Sequence, residues 1–292
     1  MKNNIVEAQI ANLEDYSHSA NSIFHFMKEE KYLLEALDNR RLVPRYCNED
    51  VKYLQIWHNG KNAAFNNILI PLKCFCDIKL HNINNKVSYN DIQRANSNQE
   101  IQRSHIQLYG TYALGFSKVW AETKGIQPVM YVNKNSPFAT QLIETITKML
   151  ESEAEDNNNY FENLVAYQLS FIKPLRGYMS RPNEVLNKNF HDEHEWRYVP
   201  SFENIPSDYM AIIMEQSCIE DKSIVNAYND MLQKNDTTHL KFDYDDIKYI
   251  IVPNEEERDK IIMHIYEAIG CAIEAYRLIS KLVILTDILK DW

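Results

Sequence analysis

The chain has 292 residues, of which 45% are hydrophobic, and a formal net charge of −10 at pH 7. This length and composition suffice for a sizeable core in one large domain. The acidic balance argues against general nucleic-acid binding, because sequence-independent affinity for a phosphate backbone comes from clustered Lys and Arg. We interpret residues 1–22 as a polar N-terminal lead-in and residues 23–292 as a single elaborated domain.

The sequence lacks the features that mark several classes of protein. The N-terminus has no apolar leader, and no run approaches the roughly 18 apolar residues that span a bilayer. The six glycines form no phosphate-binding loop or dinucleotide fingerprint. No zinc-ligand spacing appears, so no metal is predicted. The cysteines are odd in number and scattered, which suits reduced thiols and a cytoplasmic location: Cys47, Cys74, Cys76, Cys218 and Cys271.

The first third of the chain predicts strands around one helix. Residues 23–26 form a short β-type run that carries His25, and helical spacing follows over residues 28–37. On its own, His25 is more typical of a hydrogen-bonded core histidine than of a catalytic one. Residues 68–77 predict a buried strand with Pro71 at an edge or bulge. The Asn-, Gln- and Ser-rich residues 82–104 are interpreted as a loop with one short helix.

The middle of the chain predicts a strand, a turn and a long helical region. Residues 112–116 form a strand, and Ser117 can cap a short helix after it. Gly125 makes a turn into a strand at residues 128–132. Residues 137–172 follow helical periods with an acidic break at residues 151–159, which we interpret as a solvated loop.

The last third predicts further alternation of strands and helices. Strands are expected at residues 209–213, 247–253 and 281–286, with helices at residues 219–233 and after Asn254. Because strands and helices are interspersed without repeats, the predicted fold class is α+β, with helices packed on a mixed or antiparallel sheet.

Residues 190–198, with the sequence FHDEHEWRY, hold the densest group of titratable side chains. As a strand, this stretch would place Glu193, Glu195 and Arg197 on one face. Neighbouring carboxylates raise one another's pKa, whereas Arg197 opposes that shift. The trio is therefore either a tuned acid/base site or a self-satisfied salt-bridge ladder, and the residues alone leave both open.

Four motifs in this order resemble the AbiGi family of abortive phage-resistance proteins. They are PRYC at 44–47, IPLKCFCDI at 70–78, His105 with YGTYALGFSKVW at 109–120, and HEWRY at 194–198. The resemblance runs from about residue 25 to residue 200 and continues at residues 247–262. It implies bacterial phage defence as the antitoxin half of a pair whose other half is a nucleotidyltransferase-like toxin, and hence binding to a toxin partner.

A more distant resemblance concerns motif order. An early strand with His25, a Tyr-rich turn and a late Glu-x-Glu are similar to the His, Tyr, Glu order of ADP-ribosyltransferases. That resemblance implies an ADP-ribosyltransferase-like fold and, as an alternative function, an NAD-dependent transferase or NAD-glycohydrolase. The Ser-Thr-Ser motif of arginine-modifying transferases is absent, and the spacing from His25 to Tyr109 is long.

The transferase resemblance implies a role for each matching residue. Glu195 would stabilise the oxocarbenium ion at the ribose, and Glu193 would orient the acceptor. The remaining candidates are His25 for the adenosine-side ribose, Tyr109 or Tyr112 for nicotinamide stacking, Arg45 or Arg197 for the pyrophosphate, and His105 at the rim. We expect His25, Tyr109, Glu193, Glu195 and Arg197 to converge on one pocket.

Overall fold

A computed structural model describes residues 19–58, 63–85, 87–91, 100–156, 160–181 and 184–291. Most of the predicted lead-in, residues 1–18, lies outside the described residues. The strands are β1 (Ser22–Met27), β2 (Arg41–Leu42), β3 (Arg45–Asp50), β4 (Trp57–His58), β5 (Ala63–Ala64), β6 (Asn67–Cys76), β7 (Val87–Asp91), β8 (Glu100–Arg103), β9 (Tyr112–Ser117), β10 (Gln127–Pro128), β11 (Met130–Val132), β12 (Ile172–Pro174), β13 (Arg176–Arg181), β14 (Glu184–Asn189), β15 (Glu195–Tyr198), β16 (Leu240–Lys241), β17 (Ile247–Val252) and β18 (Leu282–Ile284).

The α-helices of the described residues lie between these strands and at the C-terminal end. They are α1 (Glu30–Asn39), α2 (His105–Tyr109), α3 (Lys118–Thr123), α4 (Pro137–Asp156), α5 (Tyr160–Ser170), α6 (Gln216–Glu220), α7 (Lys222–Lys234), α8 (Glu255–Ala268), α9 (Ala272–Ile279) and α10 (Leu285–Asp291).

The main sheet has the strand order β10-β15-β6-β1-β9-β17-β18, with β3 as a further partner of β6. The β17–β18 pair is parallel, and the other pairs are antiparallel. A smaller sheet has the order β13-β14-β7-β8. Mixed pairing with helices packed around it confirms the α+β prediction.

The main sheet opens between β1 and β3. Strand β6 pairs with β3 along residues 67–72, but it meets β1 at a single register position, Phe24 opposite Cys76. The imidazole of His25 lies next to that junction, with Nδ1 2.8 Å from the carbonyl oxygen of Cys74. The His25 side chain thus lies where further backbone hydrogen bonds between β1 and β6 would otherwise form. The gap leaves space for the cavity described below.

Apolar side chains cover both faces of the main sheet. One core joins Leu114 and Ile250 of the sheet to Leu33 of α1 and Ile261 of α8. A second core packs the β3 and β6 region against α4, α5 and α7, with Val165 at its centre. Helices therefore pack on both faces of the main sheet and hold β6 and β15 in place.

Several predicted elements are confirmed and others are wrong. Ser117 caps α3 by accepting from the Trp120 backbone N–H at 3.2 Å, and Asn254 caps α8 in the same way. Residues 82–104 contain the strands β7 and β8, not a loop with one short helix, and residues 86 and 92–99 of that range lie outside the described part of the chain. Residues 209–213 form no strand; they meet β6 at a single bridge, Ile213 opposite Leu69, and Ile212 and Ile213 pack into the second core. Helix α4 runs through the predicted acidic break as far as Asp156, and residues 157–159 lie outside the described part of the chain.

Candidate functional site

The stretch at residues 190–198 is not one continuous strand. Residues Phe190–Glu193 form a 3-10 turn, and His194 follows with φ of +44° before β15 begins at Glu195. This left-handed residue breaks the predicted alternation. Glu195 and Arg197 still share a face because they lie two apart on β15, whereas Glu193 approaches them from the turn.

Arg197 is the centre of a buried group of charges. Its side chain is fully buried, with Nε donating to Glu195 Oε1 at 2.8 Å and NH1 donating to the Ser170 carbonyl oxygen at 2.7 Å. Its NH2 donates to Glu49 Oε2 at 2.7 Å. All three guanidinium nitrogens therefore have acceptors, so Arg197 keeps no free face for a ligand.

Two lysines extend this group to Glu193. Lys173 Nζ lies 2.7 Å from Glu195 Oε2 and 3.2 Å from Glu193 Oε2, and so bridges the two carboxylates. On the other side, Glu193 Oε1 accepts from both Tyr109 Oη and Lys188 Nζ. Lys188 Nζ also donates to Tyr109 Oη at 2.7 Å. Each carboxylate is therefore held by two or more donors.

The ion-pair cluster consists of Glu49, Glu193, Glu195, Lys173, Lys188 and Arg197. Burial alone would raise the pKa of Glu195, but Arg197 and Lys173 hold that pKa below its ordinary value. Burial likewise opposes ionisation of Glu193, and Lys173 and Lys188 lower its pKa. Both carboxylates are thus ionised near neutral pH. Three acids and three cations balance one another within the cluster.

Sequence reasoning anticipated only part of the ion-pair cluster. It brought together Glu193, Glu195, Arg197 and Tyr109, but it missed Lys173 of β12, Lys188 of β14 and Glu49 of β3. Each of these lies in an otherwise ordinary strand, and its closeness to Glu195 depends on pairings between distant segments. The one signal available was the charge count: two carboxylates and one guanidinium leave a buried negative charge that needs further cations.

A cavity of about 830 Å³ borders the cluster. Glu193, Glu195 and Lys173 lie on one side of it, and aromatic side chains of β1, α2 and the 190–193 turn lie on another. Its aromatic and charged lining includes Phe24, Phe26, Glu49, Lys52, His105, Tyr109, Tyr178, Phe190 and Asp50. Its volume lies within the range of roughly 300 to 1,000 Å³ typical of small-molecule sites.

His25 borders this cavity from the neighbouring strand, but its side chain belongs to the other face of the sheet. Alternation along β1 places it with Ile23 and Met27, which pack in the first core. Its ring lies 5.7 Å from that of Phe75 in the same core. Burial, followed by the charge of Lys73, lowers the pKa of His25 to about 3. His25 and Glu195 thus both border the cavity, from strand positions that alternate to opposite faces of the sheet.

The other predicted site residues divide into near and distant ones. The His105 ring lies 4.6 Å from that of Tyr109 and lines the cavity. Tyr112 lies on the first-core face, where its hydroxyl donates to Glu257 Oε2 at 2.6 Å. Arg45 is exposed on β3, opposite Leu72. The structure thus brings His105 to the cluster and leaves Tyr112 and Arg45 apart from it.

The described residues show neither a group of metal ligands nor a membrane-spanning helix. Within those ranges, no three His, Cys, Asp or Glu side chains are grouped so that they could hold a metal ion. Among the helices described there, none combines the length and apolarity that crossing a membrane requires.

Comparisons with known proteins agree on one family. Residues 86–253 match the family model described as "Putative abortive phage resistance protein AbiGi, antitoxin". A protein of Lactococcus lactis subsp. cremoris named "Abortive phage resistance protein AbiGi" is 31% identical over 268 residues, which cover 86% of this chain and 99% of the relative. The search of solved structures found no match. The resemblance to ADP-ribosyltransferases thus gains no support from a solved structure.

Proposed function

The chain belongs to the AbiGi family of abortive phage resistance proteins, and from that membership we propose that it is a cytoplasmic antitoxin that acts by binding a partner toxin. The partner would carry a net positive surface, because this chain has a net charge of −10. Charge complementarity of this kind speeds encounter and suppresses wrong partners.

The observation that carries the proposal is an exposed apolar surface on two consecutive helices. Met263 and Tyr266 of α8 are each 58% exposed, and Ile273 and Tyr276 of α9 are 65% and 61% exposed. Each pair is three residues apart, so its members lie on one side of their helix. We call these four residues the C-terminal helical face. Exposed aromatic and Met side chains are enriched at protein interfaces.

Charge around the C-terminal helical face fits a basic partner. Residues 255–279 contain six acidic and three basic side chains. Glu267 is exposed beside Tyr266, and Asp259 and Lys260 lie one turn earlier on α8. Exposed apolar side chains accompanied by a surplus of acidic ones are complementary to a toxin surface with apolar anchors and a Lys- or Arg-rich rim.

The ion-pair cluster supports a binding role by a different route. Glu193 and Glu195 are ionised, and the Arg197 guanidinium has no free face. The charged side chains of the cluster therefore bond to one another and not to a ligand. In a protein that acts by binding a partner at its surface, such a buried network needs only to stabilise the fold.

The experiment is a calorimetric titration of the purified protein with a toxin encoded in the same operon. We expect binding that the double variant Ile273→Ser/Tyr276→Ser weakens at least tenfold, since buried aromatic anchors dominate interface energies. The matched control is Val119→Ser/Phe138→Ser, which removes apolar side chains that are 47% and 50% exposed elsewhere. No binding, or equal losses in the two double variants, would refute the proposal.

An NAD-using enzyme remains the alternative, and the cavity beside Glu193 and Glu195 is the observation in its favour. Against it stand the His25 side chain on the opposite face and the fully paired Arg197. The deciding assay measures nicotinamide release from NAD by the protein and by its Glu195→Gln variant. Release that the variant loses would replace the antitoxin proposal with the transferase or glycohydrolase function.

A further inference from the structure

The cavity beside the ion-pair cluster has an aromatic wall that antitoxin action does not use. The ring of Phe26 lies 4.9 Å from that of His105, edge to face, and the His105 ring lies 4.6 Å from that of Tyr109. Tyr109 in turn donates to Glu193. We call Phe26, His105 and Tyr109 the aromatic wall. All three residues line the cavity, and planar heterocycles stack on aromatic rings of this kind.

His105 is the polar group of this wall. It occupies the first position of α2, after the capping residue Ser104, and it is partly buried and lines the cavity. Within the described part of the chain, neither ring nitrogen of His105 has a hydrogen-bond partner. Burial lowers the pKa of His105 to about 4, so the ring is neutral at pH 7 and offers one donor and one acceptor.

The charges around the cavity disfavour a phosphate. Arg197 is fully paired, and Lys173 is shared between two carboxylates. Glu49, Glu193 and Glu195 are balanced by the cations of the cluster and Asp50 is a further lining carboxylate, so the described lining holds no surplus of positive charge for an anion. Lys52 lines the cavity too, but its residue is exposed, so it can meet charge only near the opening.

We propose that this cavity binds an uncharged planar nitrogen heterocycle of nucleobase size, which stacks on the aromatic wall and hydrogen-bonds to His105. The donor and acceptor of a neutral imidazole match the paired donor and acceptor on the edge of such a ring. A ribose would then point toward the opening, where Tyr178 is 53% exposed. The ligand class is thus a free nucleobase or a nucleoside.

The test is a calorimetric titration of the full-length protein at pH 7 with adenosine, guanosine, cytidine and uridine, and with their 5′-monophosphates. At least one nucleoside should bind, and its monophosphate should bind no more tightly. The variant His105→Phe keeps a ring of similar size and should weaken binding about tenfold, the loss expected for one or two hydrogen bonds. The control His264→Phe, on α8, should bind as the unmodified protein does.

Circular dichroism and thermal melting will establish that each variant is folded. If His105→Phe does not fold, Tyr178→Ala at the exposed edge of the cavity replaces it and should weaken nucleoside binding severalfold. The proposal is overturned if no nucleoside binds, if a monophosphate binds more than tenfold tighter than its nucleoside, or if the cavity variant binds like the control. Toxin binding at the C-terminal helical face is measured separately, so either proposal can fail alone.

Discussion

Arg197 shows how a single residue holds the candidate site together. Its guanidinium donates to Glu195, to Glu49 and to the Ser170 carbonyl oxygen. Removing one partner of a buried ion pair leaves an uncompensated charge, which is more costly than losing the pair as a whole. The residue therefore stabilises the fold whatever the cavity binds.

Arg197→Met should lower the free energy of unfolding by about 3 to 5 kcal/mol, because Glu195 and Glu49 lose their shared cation inside the protein. Urea denaturation at pH 7 measures this change. Arg45→Met is the matched control, since Arg45 is exposed on β3, and we expect it to change stability by less than about 0.5 kcal/mol. Equal stability of the two variants would contradict the description of the ion-pair cluster.

The pH dependence of stability follows from buried histidines and carboxylates. Burial lowers the pKa of His105 from 6.5 to about 4, so between these values the unfolded chain binds the proton more readily than the folded one. Stability is then lost as pH falls, by up to about 1.4 kcal/mol per pH unit for this histidine. Glu193 and Glu195, with pKa values held below 4.5, add a further loss as pH falls below that value.

Urea midpoints measured from pH 7 to pH 4.5 should therefore fall steadily, and His105→Phe should flatten the slope. His25, whose pKa burial and Lys73 lower to about 3, keeps part of the slope in that variant. A variant slope as steep as that of the unmodified protein would mean that His105 titrates normally in the folded state.

Secondary-structure elements were predictable where local chemistry decides them. The caps at Ser117 and Asn254 and the strand at 247–252 depend on neighbouring residues, and all were predicted. The hairpin formed by β7 and β8 was missed because its polar sequence is typical of a loop, and its place in a sheet depends on β14. At residues 209–213, an apolar run packs into a core without joining a sheet.

Gly110 marks the point where α2 must turn into β9. Its φ is +120°, and a Cβ added there would lie 2.0 Å from the carbonyl oxygen of Met27. Gly110→Ala should therefore force the backbone of β1 and β9 apart, at a cost above about 2 kcal/mol. Gly125, at φ +69° with open space around it, is the control, and its change to Ala should cost about 1 kcal/mol. Chemical denaturation that ranks the two the other way would contradict this packing.

At the scale of the whole molecule, the fold class could be predicted but the site's composition could not. The interspersed strands and helices indicated α+β, and the density of charge at 190–198 indicated the right region. The side-chain partners of Glu195 come from β12 and β15, Arg197 adds Glu49 of β3, and Glu193 adds α2 and β14. Their convergence is set by strand pairings in three separate sheets, which no local pattern specifies. The same topology brings His25 and Glu195 to one cavity, from strand positions that alternate to opposite faces of the sheet.

The C-terminal helical face and the net charge of −10 are likewise properties of the whole molecule. Under the antitoxin proposal they provide the surface that binds the toxin, and the ion-pair cluster stabilises the interior. The antitoxin proposal therefore predicts that this protein neutralises a second protein, the toxin.

The most direct test of that claim is growth of bacteria that express this protein alone, a toxin from its operon alone, or both. We predict normal growth with the protein alone, arrest with the toxin alone, and rescue on co-expression that Ile273→Ser/Tyr276→Ser abolishes and Val119→Ser/Phe138→Ser preserves. Arrest caused by this protein on its own, removed by Glu195→Gln, would contradict the antitoxin account and indicate an enzyme.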